Sequence, residues 1–215
     1  MSDVIRISDL RRMFAQAAQQ VRREQDMLSR LDCVGGDGDH GSTMVRAMEV
    51  LEIEMNRESD QPLHDRLKDA GWSVLAVDGG ASSALVGTFI AGMGGEDLGQ
   101  ESDCKHLAAS FAAGLRAVEK QTKARPGDKT MMDALVPAVQ AIESAAGSGE
   151  PVARALELAA EAARKGAETT TDMIARYGRA KFLGERTLGS PDAGATSIAL
   201  IFKGFSSAFT QRKEV

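Results

Sequence analysis

Apolar residues recur every three or four positions along most of this 215-residue chain, which places them on one face of successive helices. Leu10, Phe14, Ala17, Val21, Leu28 and Leu31 share a face of an opening helix, with Ser8 placed to cap its start. Met44, Ala47, Met48 and Leu51 repeat the pattern in a second. Six further helices are predicted: 63–77, 82–93, 101–123, 130–146, from Pro151 toward Tyr177, and 195–211. Gly79-Gly80, Gly94-Gly95 and Pro126-Gly127 end the third, fourth and fifth. Pro137 falls inside the sixth, where a missing backbone donor permits a kink, and Pro151 suits the first turn of the seventh. Ser197–Phe202 is rich in β-formers, but its pattern runs on as helix. The expectation is eight helices, no strand, and one all-α domain over residues 1–215.

Small residues repeat on the later helices, as in Ala108, Ala109, Ala112 and Ala113, or Ala159, Ala160, Ala162 and Ala163. They favour helix and let neighbouring helices approach closely. Hydrophobic residues at 43% and charged residues at 27% exclude a disordered chain. A net charge of −5 argues against nucleic-acid binding, and an aromatic content of 4% leaves no stacking platform for single strands. Cys33 and Cys104 are too few for a disulfide framework, and His40, His64 and His106 are too dispersed for a zinc site. No apolar run reaches the roughly 18 residues that a membrane span needs. The first residues lack the apolar core of a secretion signal. The expected setting is therefore the cytoplasm, with no membrane and no nucleic-acid partner.

Glycines cluster with Asp, Ser and Thr at four junctions: 35–43, 79–83, 127–130 and 189–197. An antiparallel helical array alternates its loops between two ends, so the junctions after helices one, three, five and seven share an end. Those are the four clusters. Polar, Gly-rich loops on one rim suggest a site for a polyanion.

Asp32, Asp37 and Asp39 lie within eight residues, interleaved with glycines that allow sharp turns. Carboxylates so close repel unless a cation holds them, and hard oxygen ligands without Cys point to Mg²⁺ or Ca²⁺. An EF-hand loop does not fit: counted from Asp37, its fifth and sixth positions are Gly41 and Ser42. Few protein ligands favour Mg²⁺, which keeps waters and phosphate oxygens. A solvated acidic turn is the competing reading.

The neighbouring residues also carry two readings each. His40 suits hydrogen bonding at a helix start, or a phosphate or ribose contact. Ser42 and Thr43 open the second helix, and Gly79-Gly80-Ala81-Ser82-Ser83 opens the fourth, where backbone donors bind phosphate or hydroxyls simply cap. Gly127-Asp128-Lys129-Thr130 is not a Walker A loop; Lys129 is a phosphate counter-charge or a solvated loop lysine. Met131 and Met132 suit the core or the flat face of a base. Arg179 can hold a phosphate bidentately, and Asp192 can accept from ribose or cap a helix. No Ser–His–Asp or Cys–His arrangement is legible. Phosphoryl transfer needs mainly positioning and charge neutralisation, so none is required.

Four segments in order carry a resemblance: Asp-x₄-Asp-x-Asp-His-Gly from Asp32, then Gly-Gly-Ala-Ser, then Pro-Gly-Asp-Lys-Thr-Met. The fourth is Gly-Arg-Ala-x₃-Gly-Glu-Arg-x₂-Gly-x₂-Asp-x-Gly-Ala-Thr-Ser, ending at Ser197. Spread over nearly the whole chain, they resemble the L subunits of dihydroxyacetone kinases. The resemblance implies an eight-helix antiparallel barrel binding ADP or ATP at one end. It implies two Mg²⁺ ions held by Asp32, Asp37 and Asp39. Nucleotide contacts would come from His40, Gly41, Ser42, Thr43, Ala81, Ser82, Thr122, Met131, Arg179, Asp192, Ala193 and Gly194. The chain would carry no catalytic group beyond the metal ligands. It would pass a phosphoryl group to dihydroxyacetone, or another small ketose, bound covalently to a histidine of a separate K subunit.

Three positions depart from the usual pattern: Ser83-Ala84 replaces Gly-Pro, Gly38 replaces a frequent Ala, and Thr122 replaces a small residue. The family includes two modes of supply. In one, bound ADP is rephosphorylated by a phosphohistidine M subunit of the phosphotransferase system; in the other, ATP exchanges freely. Two other roles remain open: a non-catalytic, ADP-loaded subunit controlling a transcription regulator, and a structural bundle with an acidic Ca²⁺ loop.

Overall fold

The computed structural model describes residues 4–77 and 80–210. Gly79 and Gln211, which the sequence pattern assigns to a helix end and to the last helix, lie outside them. Nine α-helices are described: α1 (Ile7–Arg23), α2 (Gln25–Asp32), α3 (His40–Asn56), α4 (Leu63–Leu75), α5 (Gly80–Met93), α6 (Cys104–Gln121), α7 (Met132–Gly147), α8 (Val152–Thr169) and α9 (Ala193–Thr210). Eight of them form a closed ring, each packed on the next in the order α1, α3, α4, α5, α6, α7, α8, α9 and back to α1. This is the expected antiparallel helical barrel. The short α2 leans on α3 and α9.

The expected opening helix is broken. Glu24 leaves helical geometry at φ −106 and ψ 14, inside the polar run Arg22–Asp26 that offers the core nothing to grip. The chain then tilts, so that α2 runs against the start of α3. Gly41 is what permits that approach, since a Cβ there would stand 2.1 Å from the Gln25 carbonyl oxygen. Capping also differs from expectation: α1 begins at Ile7, and the Arg6 amide donates to Asp9 Oδ2 at 2.8 Å.

Two short strands, β1 (Val4–Arg6) and β2 (Glu101–Asp103), pair antiparallel with Ile5 opposite Ser102. Three-residue strands carry too few alternations to be read in sequence. They precede α1 and α6, at the barrel end opposite the glycine clusters. The predicted helix beyond Pro151 stops at Thr169, well short of Tyr177. There Thr169 and Thr170 turn their hydroxyls back on the carbonyls of Gly166 and Ala167, and 3-10 turns follow over Thr170–Asp172 and Arg179–Thr187.

Pro137 does not interrupt α7. It cannot donate to the Asp133 carbonyl four residues back. At that oxygen α8 presents Gly166, where a Cβ would lie only 2.0 Å away. Inside the barrel, Phe14, Phe89, Phe111, Phe202 and Phe205 form a connected ring cluster with centroids 5.4–6.2 Å apart, tying α1, α5, α6 and α9 together. Ala108, Ala112, Ala159 and Ala163 are buried at helix contacts.

Candidate functional site

The glycine clusters do converge. A cleft of about 430 Å³, within the usual range of small-molecule sites, opens at one end of the barrel. Its wall includes the first turns of α3, α5, α7 and α9, together with the end of α2 and the loops around Thr122 and Arg179. Four helix N-termini therefore face one space, and their dipoles favour an anion there.

Asp32 ends α2, and its chain turns back through amide bonds from Gly35 and Gly36 to the Asp32 carbonyl at 3.0 and 2.6 Å. The Asp32 carboxylate takes the Gly38 amide at 2.9 Å. Gly38 has φ +79, and a Cβ there would meet Cys33 Sγ at 2.7 Å, so glycine suits this turn. The turn brings Asp32, Asp37 and Asp39 together, with one oxygen from each inside a 4.8 Å group. Arg179 donates to Asp37 Oδ2 at 2.5 Å, and this hydrogen bond holds the Asp37 carboxyl below the usual range. Desolvation and the charges of Asp37 and Asp32 push Asp39 the other way.

His40 is buried against α9, its Nε2 2.7 Å from Ser197 Oγ, and burial holds its pKa down. It still lines the cleft, as do Thr43, Ala81, Ser82, Thr122, Met131, Arg179, Asp192, Ala193 and Gly194. Gly41 and Ser42 do not: Gly41 faces α2, and Ser42 Oγ donates to the Asp39 carbonyl at 2.8 Å. Thr122 accepts the Ala124 amide at 3.1 Å, shaping the turn after α6, and Ser83 Oγ caps the Gly80 carbonyl at 3.2 Å.

Asp192 accepts the Ala195 amide at 2.7 Å and so caps α9, while part of the residue stays accessible from the cleft. Burial pushes its carboxyl up to about 6. Lys129 is neither solvated nor turned outward. It is 7% exposed, with its ammonium donating to the carbonyls of Thr170 and Ser190, and burial lowers its pKa. It is the only non-glycine residue at positive φ, 59°, among the described residues.

Three contributors escape the sequence reading. Asp133 takes the amides of Gly127 and Thr130 at 2.5 and 2.7 Å and so orders the loop bearing Lys129. Thr170 accepts the Asp192 amide at 2.8 Å. Tyr177 lines the cleft; being the sole tyrosine, beside Gly178-Arg179, was its one available signal.

Fold and site together define a helical barrel with a carboxylate cluster and four helix N-termini at one mouth. The chain belongs to the DAK2 domain family, whose model matches residues 34–207. It is 36% identical over 181 residues to the ADP-binding subunit DhaL of the PEP-dependent dihydroxyacetone kinase of Escherichia coli K12, covering 84% of this chain and 86% of that subunit. The corresponding subunit of kinase 1 from Listeria innocua is 35% identical, covering 86% and 87%. A D-erythrulose kinase of Mycolicibacterium smegmatis is 34% identical over 93% of this chain but only 35% of its own length. Among solved structures, the dihydroxyacetone kinase of C. freundii in complex with AMP-PNP and Mg²⁺ superposes with a TM-score of 0.68 at 25% identity. That match takes in 92% of this chain and 33% of the kinase.

Proposed function

We propose that this chain, as one domain over residues 1–215, is the nucleotide-binding subunit of a kinase acting on dihydroxyacetone or a related small ketose. The observation that carries this reading is the meeting of Asp32, Asp37 and Asp39 with four helix N-termini and Arg179 in one cleft. The relatives named above are kinases or kinase subunits, which favours transfer chemistry over a purely regulatory role.

Three carboxylates with no sulfur or imidazole among them fit hard cations, and Asp32, Asp37 and Asp39 would hold two Mg²⁺ ions. Bound there, Mg²⁺ supplies neutralisation of the charge on the β- and γ-phosphates. The chain's own groups do the rest. The starts of α3, where His40 and Thr43 line the cleft, and of α5, with Ala81 and Ser82, meet the phosphate oxygens, while Gly41 and Ser42 shape that turn of α3 from outside the cleft. Arg179 adds a guanidinium that can exchange Asp37 for phosphate. Thr122 and Met131 bound the base, while Asp192, Ala193 and Gly194 meet the ribose. His40, neutral and bonded to Ser197, locks α3 to α9 and fixes the distance between the phosphate and ribose ends. No nucleophile of this chain is needed, because positioning and charge account for the rate.

The acceptor is a three- or four-carbon ketose held on a K-type subunit. The PEP-dependent relatives support a donor of the phosphotransferase system, an M-type phosphohistidine protein acting on retained ADP. Two measurements test the proposal. Native mass spectrometry of the purified chain should find ADP with two Mg²⁺. The chain mixed with a K-type subunit, a phosphorylated M-type protein and dihydroxyacetone should yield triose phosphate; neither nucleotide nor product would sink it.

A further inference from the structure

Lys129 is a buried cation that the phosphate chemistry does not use. Its ammonium donates to the carbonyls of Thr170 and Ser190, the latter at 2.5 Å. The carboxylates whose charge reaches it are Asp192, Asp133 and Asp172. They come from three places: Asp192 caps α9, Asp133 lies in the first turn of α7, and Asp172 ends the 3-10 turn after α8. Lys129 also stands at φ 59, in left-handed backbone that favours glycine. Such strain persists where the surrounding structure enforces it, and Asp133 does so by taking the amides of Gly127 and Thr130 to either side. A barrel of apolar helices has no need of this arrangement, since desolvation cancels most of what a buried cation gains from its contacts.

The arrangement does matter to Asp192. That residue is fixed in place: its amide donates to Thr170 Oγ1 at 2.8 Å, its carbonyl accepts from Thr196 Oγ1 at 2.7 Å, and Oδ2 accepts the Ala195 amide at 2.7 Å. Its charge is less secure. Burial first, and then the Asp133 carboxylate, push its carboxyl up, while the Ala195 amide, the Lys129 ammonium and the Gly194 amide pull it down. The balance falls at about 6, just below neutrality. From α3, His40 meets the Ala193 backbone beside it, and burial holds that imidazole neutral. Lys129 is thus the cation that acts on Asp192, and its removal carries the balance toward or past neutral pH.

This inference rests on the kinase reading, in which Asp192 meets the ribose. A carboxylate accepts a sugar hydroxyl in a charge-assisted bond, and a protonated carboxyl in the same place is a weaker acceptor. We propose that Lys129 is a positioning residue that sets sugar specificity: acting through Asp192 rather than on the phosphates, it maintains the charged acceptor that selects ribose over deoxyribose. A deoxy sugar leaves that acceptor desolvated and unpaired, which is how a site built to bind a hydroxyl rejects an analogue without one.

The test is calorimetric titration of the chain with the Mg²⁺ complexes of ADP, 2′-deoxy-ADP and 3′-deoxy-ADP, from about pH 5 to 8. The three share one diphosphate, so the ratio of their affinities cancels titration at the phosphates and at the Asp32–Asp37–Asp39 cluster. At about pH 7 and above, wild type should prefer ADP to at least one deoxy form by about tenfold or more, as a bond to a charged acceptor gives. That preference should fade below about pH 6. In Lys129→Met it should shrink to about threefold or less at neutral pH and return only at higher pH. Thr170→Val takes the acceptor from the Asp192 amide but removes no charge, so it should weaken all three nucleotides alike. If Lys129→Met does not fold, Lys129→Gln, which keeps donors for the two carbonyls, takes its place. Equal weakening of all three nucleotides in the Lys129 variant makes the residue a scaffold or a phosphate contact and overturns the proposal. So does a Thr170→Val chain that loses the sugar preference as fully, or a wild type that binds ADP·Mg with no preference at any pH. A chain that binds none of the three overturns the kinase reading itself.

Discussion

Arg179 Nη1 stands 2.5 Å from Asp37 Oδ2, joining residues 142 positions apart across the mouth of the barrel. The pair is exposed, so salt screens it and it adds little to stability. Its importance lies in its place: the guanidinium occupies one of three carboxylates that suit a divalent cation.

Replacing Arg179 should therefore have opposite effects on two ligands. In Arg179→Ala, Mg²⁺ should bind the nucleotide-free chain several-fold more tightly, because a competing cation is gone. ADP·Mg should bind about tenfold more weakly, for want of a charge-assisted phosphate contact. Calorimetric titrations with each ligand read both; parallel changes would separate Arg179 from the cation site.

The acidic cluster makes a similar split. Asp37→Asn and Asp39→Asn should each lower ADP·Mg affinity by more than about tenfold, as loss of a charged ligand does. Yet without Mg²⁺, Asp39→Asn should melt no lower than wild type, since desolvation and the charges of Asp37 and Asp32 already disfavour its ionised form. Unaltered ADP affinity in both variants would leave the carboxylates without a cation to hold.

Lys129 ties two loops through the Thr170 and Ser190 carbonyls. Lys129→Met strands those carbonyls, at a cost of about 1–3 kcal/mol. In a chain of this size the melting temperature should fall by roughly 2–10 °C. ADP should also bind less tightly, because Asp192 hangs from Thr170. Thermal melts with and without ADP separate the two effects.

Gly166→Ala tests the packing beneath that loop. The added Cβ would meet the Asp133 carbonyl oxygen at 2.0 Å, and backbone on both sides leaves little room to yield. A destabilisation of about 1–3 kcal/mol is expected, read by chemical denaturation. The same change at Gly147, where a Cβ meets nothing within 4 Å, should be harmless.

Asp192 imposes a pH dependence of definite sign. Its carboxyl titrates near 6 when folded, against an ordinary value of 3.8. The folded chain thus binds the proton more tightly, and this group's contribution to stability falls as pH rises from about 3.8 to 6. Asp192→Asn keeps an oxygen for the Ala195 amide and removes the titration. Subtracting its stability profile from that of wild type should leave a decline confined to that window; a flat difference would mean an ordinary carboxyl.

The helical barrel was legible because it depends on periodicity. Spacings of three and four fix which face of each helix is apolar, and the order of helices with short junctions fixes which loops share an end. The carboxylate trio was legible because Asp32, Asp37 and Asp39 are close in sequence. What the pattern missed depends on contacts between distant segments. Glu24 breaks the first helix because α2 must lean on α3 at Gly41, and β1 finds β2 some 95 residues away. Lys129 reads as a loop lysine until the fold brings Thr170 and Ser190 to its ammonium, and Asp133 reads as an ordinary first-turn acid until the Gly127 loop closes on it. Local spacing carries the information for elements and for charges held in one turn. Partners separated by some 40 to 140 residues are chosen only when the barrel closes, because only then do Thr170 and Ser190 come within reach of Lys129, and Asp37 within reach of Arg179.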